Sequence, residues 1–94
     1  MNPSLQFPQI AARIIKEQEM VIGPLAWSEA KKVEGLNFSD NKIVELSSDP
    51  KSTIDKLVAQ YERIFGKASH AVCHDAVKDI IAGMSPEDVP SSLR

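Results

Sequence analysis

The chain has 94 residues, a formal net charge of -2, and a composition that is 43% hydrophobic and 26% charged. This length predicts one compact domain over residues 1–94, and the composition is typical of a folded chain and argues against disorder. No cluster of basic residues exceeds the pair Lys31-Lys32, and no apolar run is long enough to span a bilayer, so nucleic-acid and membrane partners are not expected.

The first predicted helix covers residues 8–22. Pro8 suits its first turn, where the missing N–H of proline is tolerated. Gln18 interrupts the apolar stripe. The stripe consists of residues at helical spacing: Ile10, Ala11, Ile14, Ile15, Val21 and Ile22.

The second predicted helix is short and follows the break at Gly23-Pro24. It runs over residues 24–33, with Lys31 and Lys32 in its last turn and Gly35 just beyond. Cations in the last turn and a glycine after it are typical of a helix C-terminus.

Residues 36–46 have a different pattern, which predicts a small β-hairpin. Leu36 and Phe38 alternate with Asn37, residues 39–42 are turn formers, and residues 43–46 are mainly β-branched or apolar. An isolated hairpin is marginally stable in water, so we expect this one to pack on the helices. Its open edges could pair with another chain.

The third predicted helix begins after Asp49, a favoured N-cap residue, with Pro50 at its first position. Gly66 ends it. Its apolar stripe follows the helical period: Ile54, Leu57, Val58, Tyr61, Ile64 and Phe65.

The fourth predicted helix is capped by Ser69 and ends near Gly83. A single turn is expected after Ser85, and residues 1–7 and 89–94 are expected to be flexible ends. The predicted fold is therefore α+β and mainly α, with four principal helices and a small β-hairpin between the second and third. The apolar face of the fourth helix comprises Val72, Cys73, Ala76, Val77, Ile80, Ile81 and Met84.

The run His70-Ala71-Val72-Cys73-His74 contains the single cysteine and both histidines of the chain. Because positions i and i+4 share a helix face, His70 and His74 could bind one divalent ion such as zinc. Cys73 points elsewhere, into the apolar face, so a carboxylate or a second subunit would have to complete the shell. The alternative is a buried structural cysteine between two boundary histidines.

Catalytic signatures are incomplete. The chain lacks Gly-x-Ser-x-Gly, His-Glu-x-x-His and a phosphate-loop glycine pattern. A nucleophile pair of Cys73 and His70 would be hindered by burial, which raises a thiol pKa. We therefore expect neither an enzyme nor a bound cofactor, with zinc as the alternative.

Two aromatic side chains are candidate interaction residues. Trp27 lies on a short helix with a narrow apolar face, and tryptophan is frequent both in cores and at interfaces. Phe7 precedes the first predicted helix and could either fasten that helix to the body or form an exposed docking segment.

The leading functional hypothesis is a small non-enzymatic protein-interaction or regulatory module that self-associates, for example as a homodimer. The second hypothesis is a zinc-type module using His70 and His74, and the third is a small DNA-binding regulator. One cysteine and the absence of a signal-peptide pattern in residues 1–7 favour a reducing compartment, so we expect a cytoplasmic protein.

Overall fold

The computed structural model describes residues 3–38, 44–46 and 49–93. The mainly helical class with four principal helices is confirmed. In chain order the elements are α1 (Pro3–Ile22), α2 (Leu25–Ala30), β1 (Leu36–Phe38), β2 (Val44–Leu46), α3 (Pro50–Phe65), α4 (Ala68–Ile81) and two 3-10 turns, Pro86–Asp88 and Ser91–Leu93.

The two short strands lie side by side and are antiparallel, with Leu36 opposite Leu46. β2 also packs against α1. The predicted turn, residues 39–42, lies outside the described residues, as does Ile43 of the predicted second strand. The hairpin with its four-residue loop therefore stays a prediction.

α1 begins at Pro3, so the predicted start at Pro8 is wrong. Pro3 occupies the first helical position, where its missing N–H costs little. Pro8 lies inside the helix and removes one bond of the backbone ladder. Phe7 is only 6% exposed, and the burial of its ring helps to offset that loss.

α2 ends at Ala30 and is shorter than predicted. The amides of Lys32 and Val33 bond to the carbonyls of Glu29 and Ala30 at 3.1 and 3.0 Å, three residues back. This pattern tightens the chain into turns before Gly35, whose φ of 96° favours glycine.

α3 has the predicted start and end. Asp49 Oδ1 accepts a hydrogen bond from the amide of Ser52 at 3.3 Å, which confirms the N-cap. Gly66 ends the helix with a φ of 89°. Ile54, Leu57, Val58 and Tyr61 of the predicted stripe are buried, whereas Ile64 is 43% exposed.

α4 begins at Ala68, so the predicted cap at Ser69 is wrong. Ser69 lies in the first turn, is 5% exposed, and its carbonyl accepts a hydrogen bond from Gln18 Nε2 at 3.1 Å. Only two residues connect α3 to α4, and the two helices pack against each other. This short connection keeps α3 and α4 adjacent, and the bond from Gln18 places the N-terminus of α4 next to α1.

The core lies where α1 packs against the other three helices. At the edge of the α1–α4 contact, Arg13 Nη1 lies 3.1 Å from Asp79 Oδ1 and also donates to the carbonyl of Ala76 at 3.1 Å. The hydrogen bond from Arg13 holds the pKa of the Asp79 carboxyl below its ordinary value. Side chains with no exposed surface include Ile10, Ile14, Ile15, Ile54, Leu57, Tyr61, Cys73 and Val77.

Residues 85–93, which we name the C-terminal strap, fold back onto α3 and α4. The expected single turn is confirmed at Pro86–Asp88. Leu93 is fully buried, and Asp55 holds the last turn. The Asp55 carboxylate accepts hydrogen bonds from Ser91 Oγ at 2.9 Å and from the amide of Ser92 at 3.0 Å. The expected flexibility of the C-terminal end stays a prediction.

Replacing Leu57 with alanine should lower the free energy of unfolding by about 2–5 kcal/mol, because it leaves a cavity at a fully buried position. Urea unfolding monitored by circular dichroism measures this loss. Ile64→Ala on the same helix is the matched control and should cost less. A loss below about 0.5 kcal/mol for Leu57→Ala, typical of surface sites, would contradict this core assignment.

Candidate functional site

Cys73 faces the core, as the helical period predicts. It has no exposed surface, and Gln18 Nε2 lies 3.4 Å from its Sγ. Burial raises the pKa of the Cys73 thiol to about 11. A thiol in this state is neither a ready nucleophile nor a ready metal ligand.

His70 connects α3 to the C-terminal strap. Its Nδ1 lies 3.2 Å from Glu62 Oε2, and its Nε2 contacts the carbonyl of Ser92. Both ring nitrogens therefore face groups of the chain itself. This arrangement gives His70 a structural role, since it joins two segments that the backbone does not connect directly.

His74 lies one turn further along α4, at the edge of a shallow apolar depression of about 260 Å³. Its Nδ1 lies 3.9 Å from Asp75 Oδ1. Across residues 3–38, 44–46 and 49–93, no three side chains of His, Cys, Asp or Glu are placed to hold a metal ion together. The assignment of His70 and His74 to a zinc site stays a prediction.

Zinc offers a direct test of the two histidines. We expect an equimolar addition of zinc to leave the melting temperature unchanged, because a metal would first have to displace Glu62 or Ser92 from His70. Differential scanning fluorimetry with zinc and with a chelator measures this, alongside elemental analysis of tag-free protein. Stoichiometric metal that is lost in His74→Ala would instead establish a metal site.

The two candidate aromatic residues have different environments. Trp27 is half-buried and packs edge-to-face against Phe38, with ring centroids 5.9 Å apart. Phe7 is 6% exposed and belongs to the core, because α1 already includes it. The burial of Phe7 contradicts the alternative in which it is an exposed docking residue.

Among the described residues, the large apolar side chains with the greatest exposed fraction lie close together in sequence, around the junction of α1 and α2. Met20, Val21 and Leu25 are 77%, 64% and 53% exposed. We name these three residues the apolar corner. The sequence pattern placed Val21 in the buried stripe, and this part of the interpretation is wrong. Gln18 already contacts Ser69 in the first turn of α4, so the last turn of α1 extends past the start of its partner.

Hydrogen bonds hold the apolar corner in a defined geometry. Gly23, with a φ of 71°, ends α1 as its amide bonds to the carbonyl of Glu19 at 2.8 Å. The Tyr61 hydroxyl donates to the carbonyl of Ala26 at 2.7 Å and so fastens α2 to α3. Burial raises the pKa of Tyr61, which keeps this donor protonated. These bonds anchor the backbone on both sides of the corner.

Comparisons with protein-family models, curated proteins and solved structures found no match to this chain. Among the described helices, none combines the length and the apolar character that crossing a bilayer requires.

Alkylation of Cys73 should be far slower in the folded protein than in denaturant. The pKa difference between the ordinary 9.0 and about 11 lowers the thiolate fraction about a hundredfold near pH 8, and burial also blocks access. Timed reaction with iodoacetamide, read by mass spectrometry, measures the two rates. Equal rates would contradict the buried assignment.

The same pKa shift makes stability depend on pH. Because the folded state favours the neutral thiol, this contribution to the free energy of unfolding is present below pH 9 and is lost as the pH rises toward 11. Cys73→Ala removes the contribution, so its stability should fall less steeply over that range.

Proposed function

We propose that the chain is a small, non-enzymatic protein-interaction module of the cytoplasm that self-associates through the apolar corner. The supporting observation is the exposure of Met20, Val21 and Leu25 at one helix junction. Covering exposed apolar side chains with another surface is favourable, by roughly 25 cal/mol for each Å² of apolar surface that is removed from water. Contiguous exposed apolar residues often indicate such a contact surface.

A second copy of the chain is the occupant that we favour. In a two-fold symmetric dimer the same patch serves both subunits, so one apolar corner is sufficient. The formal net charge of -2 opposes the approach of a second copy only weakly. The anchored backbone of the corner limits the backbone entropy that association would cost.

Trp27 is a second candidate contact residue on α2. Because it lies two residues after Leu25, its side chain is on the opposite side of the helix, where it is half-buried against Phe38 of β1. Large aromatic side chains commonly anchor interfaces. We further infer that β1 and β2 form the predicted hairpin, whose open edge offers a second route for pairing with another chain.

Replacing Met20 and Leu25 with lysine should abolish self-association, because a dimer would then bury unpaired charges in its contact. Both side chains are exposed, so the fold should be retained. Sedimentation velocity over a wide range of concentrations measures the association, and circular dichroism checks the helices.

Ala71→Lys is the matched control, since Ala71 is exposed on α4 and the substitution adds the same kind of charge. This variant should associate as the unmodified chain does. An unmodified chain that sediments as a monomer at every concentration would overturn the proposal. A gel shift with DNA that weakens with salt would favour the third hypothesis, the DNA-binding regulator.

A further inference from the structure

Two neighbouring depressions along α3 form a groove lined by cationic side chains. The first has a volume of about 290 Å³ and includes Lys32, Lys56 and Arg63 in its lining. The second, of about 430 Å³, includes Arg63 and Lys67. Both depressions share Ala59 and Arg63, so they join at these residues. We name the combined feature the basic groove.

Two carboxylates near the basic groove already have partners, one of them a cation of the groove itself. Glu29 pairs with Lys32 at 3.1 Å, and Glu62 lies 3.2 Å from the His70 ring. Within the described ranges, the side chains of Lys56 and Lys67 make no ion pair or hydrogen bond. Four cations line the two depressions, against the two carboxylates of Glu34 and Glu62, so the groove retains an excess of positive charge.

Arg63 is held in place by a chain of hydrogen bonds that begins at Glu29, a residue only 8% exposed. Gln60 Nε2 donates to Glu29 Oε1 at 2.8 Å, and Gln60 Oε1 accepts from Arg63 Nη2 at 2.8 Å. The hydrogen bonds from Gln60 and Lys32 hold the pKa of Glu29 below its ordinary value. One guanidinium nitrogen is thus anchored, while other N–H donors of Arg63 stay available for a ligand.

Lys56 and Arg63 stand on either side of Ala59, three residues before it and four residues after it. Residues at these spacings are neighbours on one helix face. Because the methyl group of Ala59 is small, both long side chains can reach the space above it. This arrangement would bring an ammonium group and a guanidinium fork to opposite sides of one bound anion.

We propose that the basic groove binds a small phosphate-bearing molecule, with Lys56 and Arg63 holding one phosphoryl group and Lys67 a second anionic group. A phosphate monoester carries about -1.5 to -2 charges, which suits a site with two cations around a small depression. Glu34 and Glu62 border the groove and would repel a long polyanion. A compact ligand is therefore favoured over a nucleic-acid backbone.

Isothermal titration calorimetry at low ionic strength tests the proposal, with sodium tripolyphosphate and inorganic phosphate as probes. We expect tripolyphosphate to bind more tightly, because it can occupy both depressions, and its binding to weaken with added salt. Lys56→Gln and Arg63→Gln should each lower its affinity about fivefold, near the upper end for an exposed charge pair. Arg63→Lys should lower the affinity for tripolyphosphate less than Arg63→Gln does, since the charge remains and only the planar guanidinium fork is removed.

Lys78→Gln is the matched control, because Lys78 is an exposed lysine of α4 away from the groove, and it should bind tripolyphosphate like the unmodified chain. All variants replace exposed side chains, and circular dichroism verifies that each is folded. The proposal is overturned if neither probe binds, or if Lys78→Gln weakens binding as much as Lys56→Gln. Tighter binding of a DNA oligonucleotide or a polyglutamate peptide than of tripolyphosphate would also overturn it.

Discussion

The packing of α1 against α4 is the contact on which the rest of the structure depends. The apolar stripe of α1 has no exposed surface from Ile10 to Ile15 at its inward positions, and Arg13 reaches Asp79 across the edge of this contact. At its other end, Gln18 is 1% exposed and donates to Ser69 and Cys73 of α4. A buried amide at this position needs polar partners, and α4 supplies them in this alignment of the two helices.

Local signals in the sequence were sufficient at both ends of α3, where the physical cause is also local. Asp49 and Gly66 fix the ends of α3 through a side-chain cap and a positive φ, and both can be identified from a few neighbouring residues. The predicted cap at Ser69 is wrong because α4 starts one residue earlier, at Ala68. The Ser69 carbonyl instead accepts a hydrogen bond from Gln18 of α1. Burial at Val21 and Ile64 was also misassigned, since it depends on where partner helices begin and end.

In the candidate sites, too, features with a local cause could be predicted from the sequence, and features that depend on distant residues could not. The inward direction of Cys73 follows from the helical period alone, and its burial is confirmed. The partners of His70 come from α3 and from the C-terminal strap, which no spacing within the histidine run could indicate. The basic groove also escaped sequence reasoning, because Lys32 and Arg63 are far apart in the chain and meet through Glu29 and Gln60.

The pairing of α1 with α4 also has a consequence for the order of folding. The contacts that join these helices span 51 to 66 residues of sequence, whereas α3 and α4 are neighbours in the chain. Local contacts form quickly, and long-range contacts must first overcome the entropy of loop closure. On the ribosome, α1 therefore emerges well before α4, and the part of its apolar face that α4 covers stays open until α4 has been synthesised. We expect the helical pair α3–α4 to act as the template on which α1 then docks.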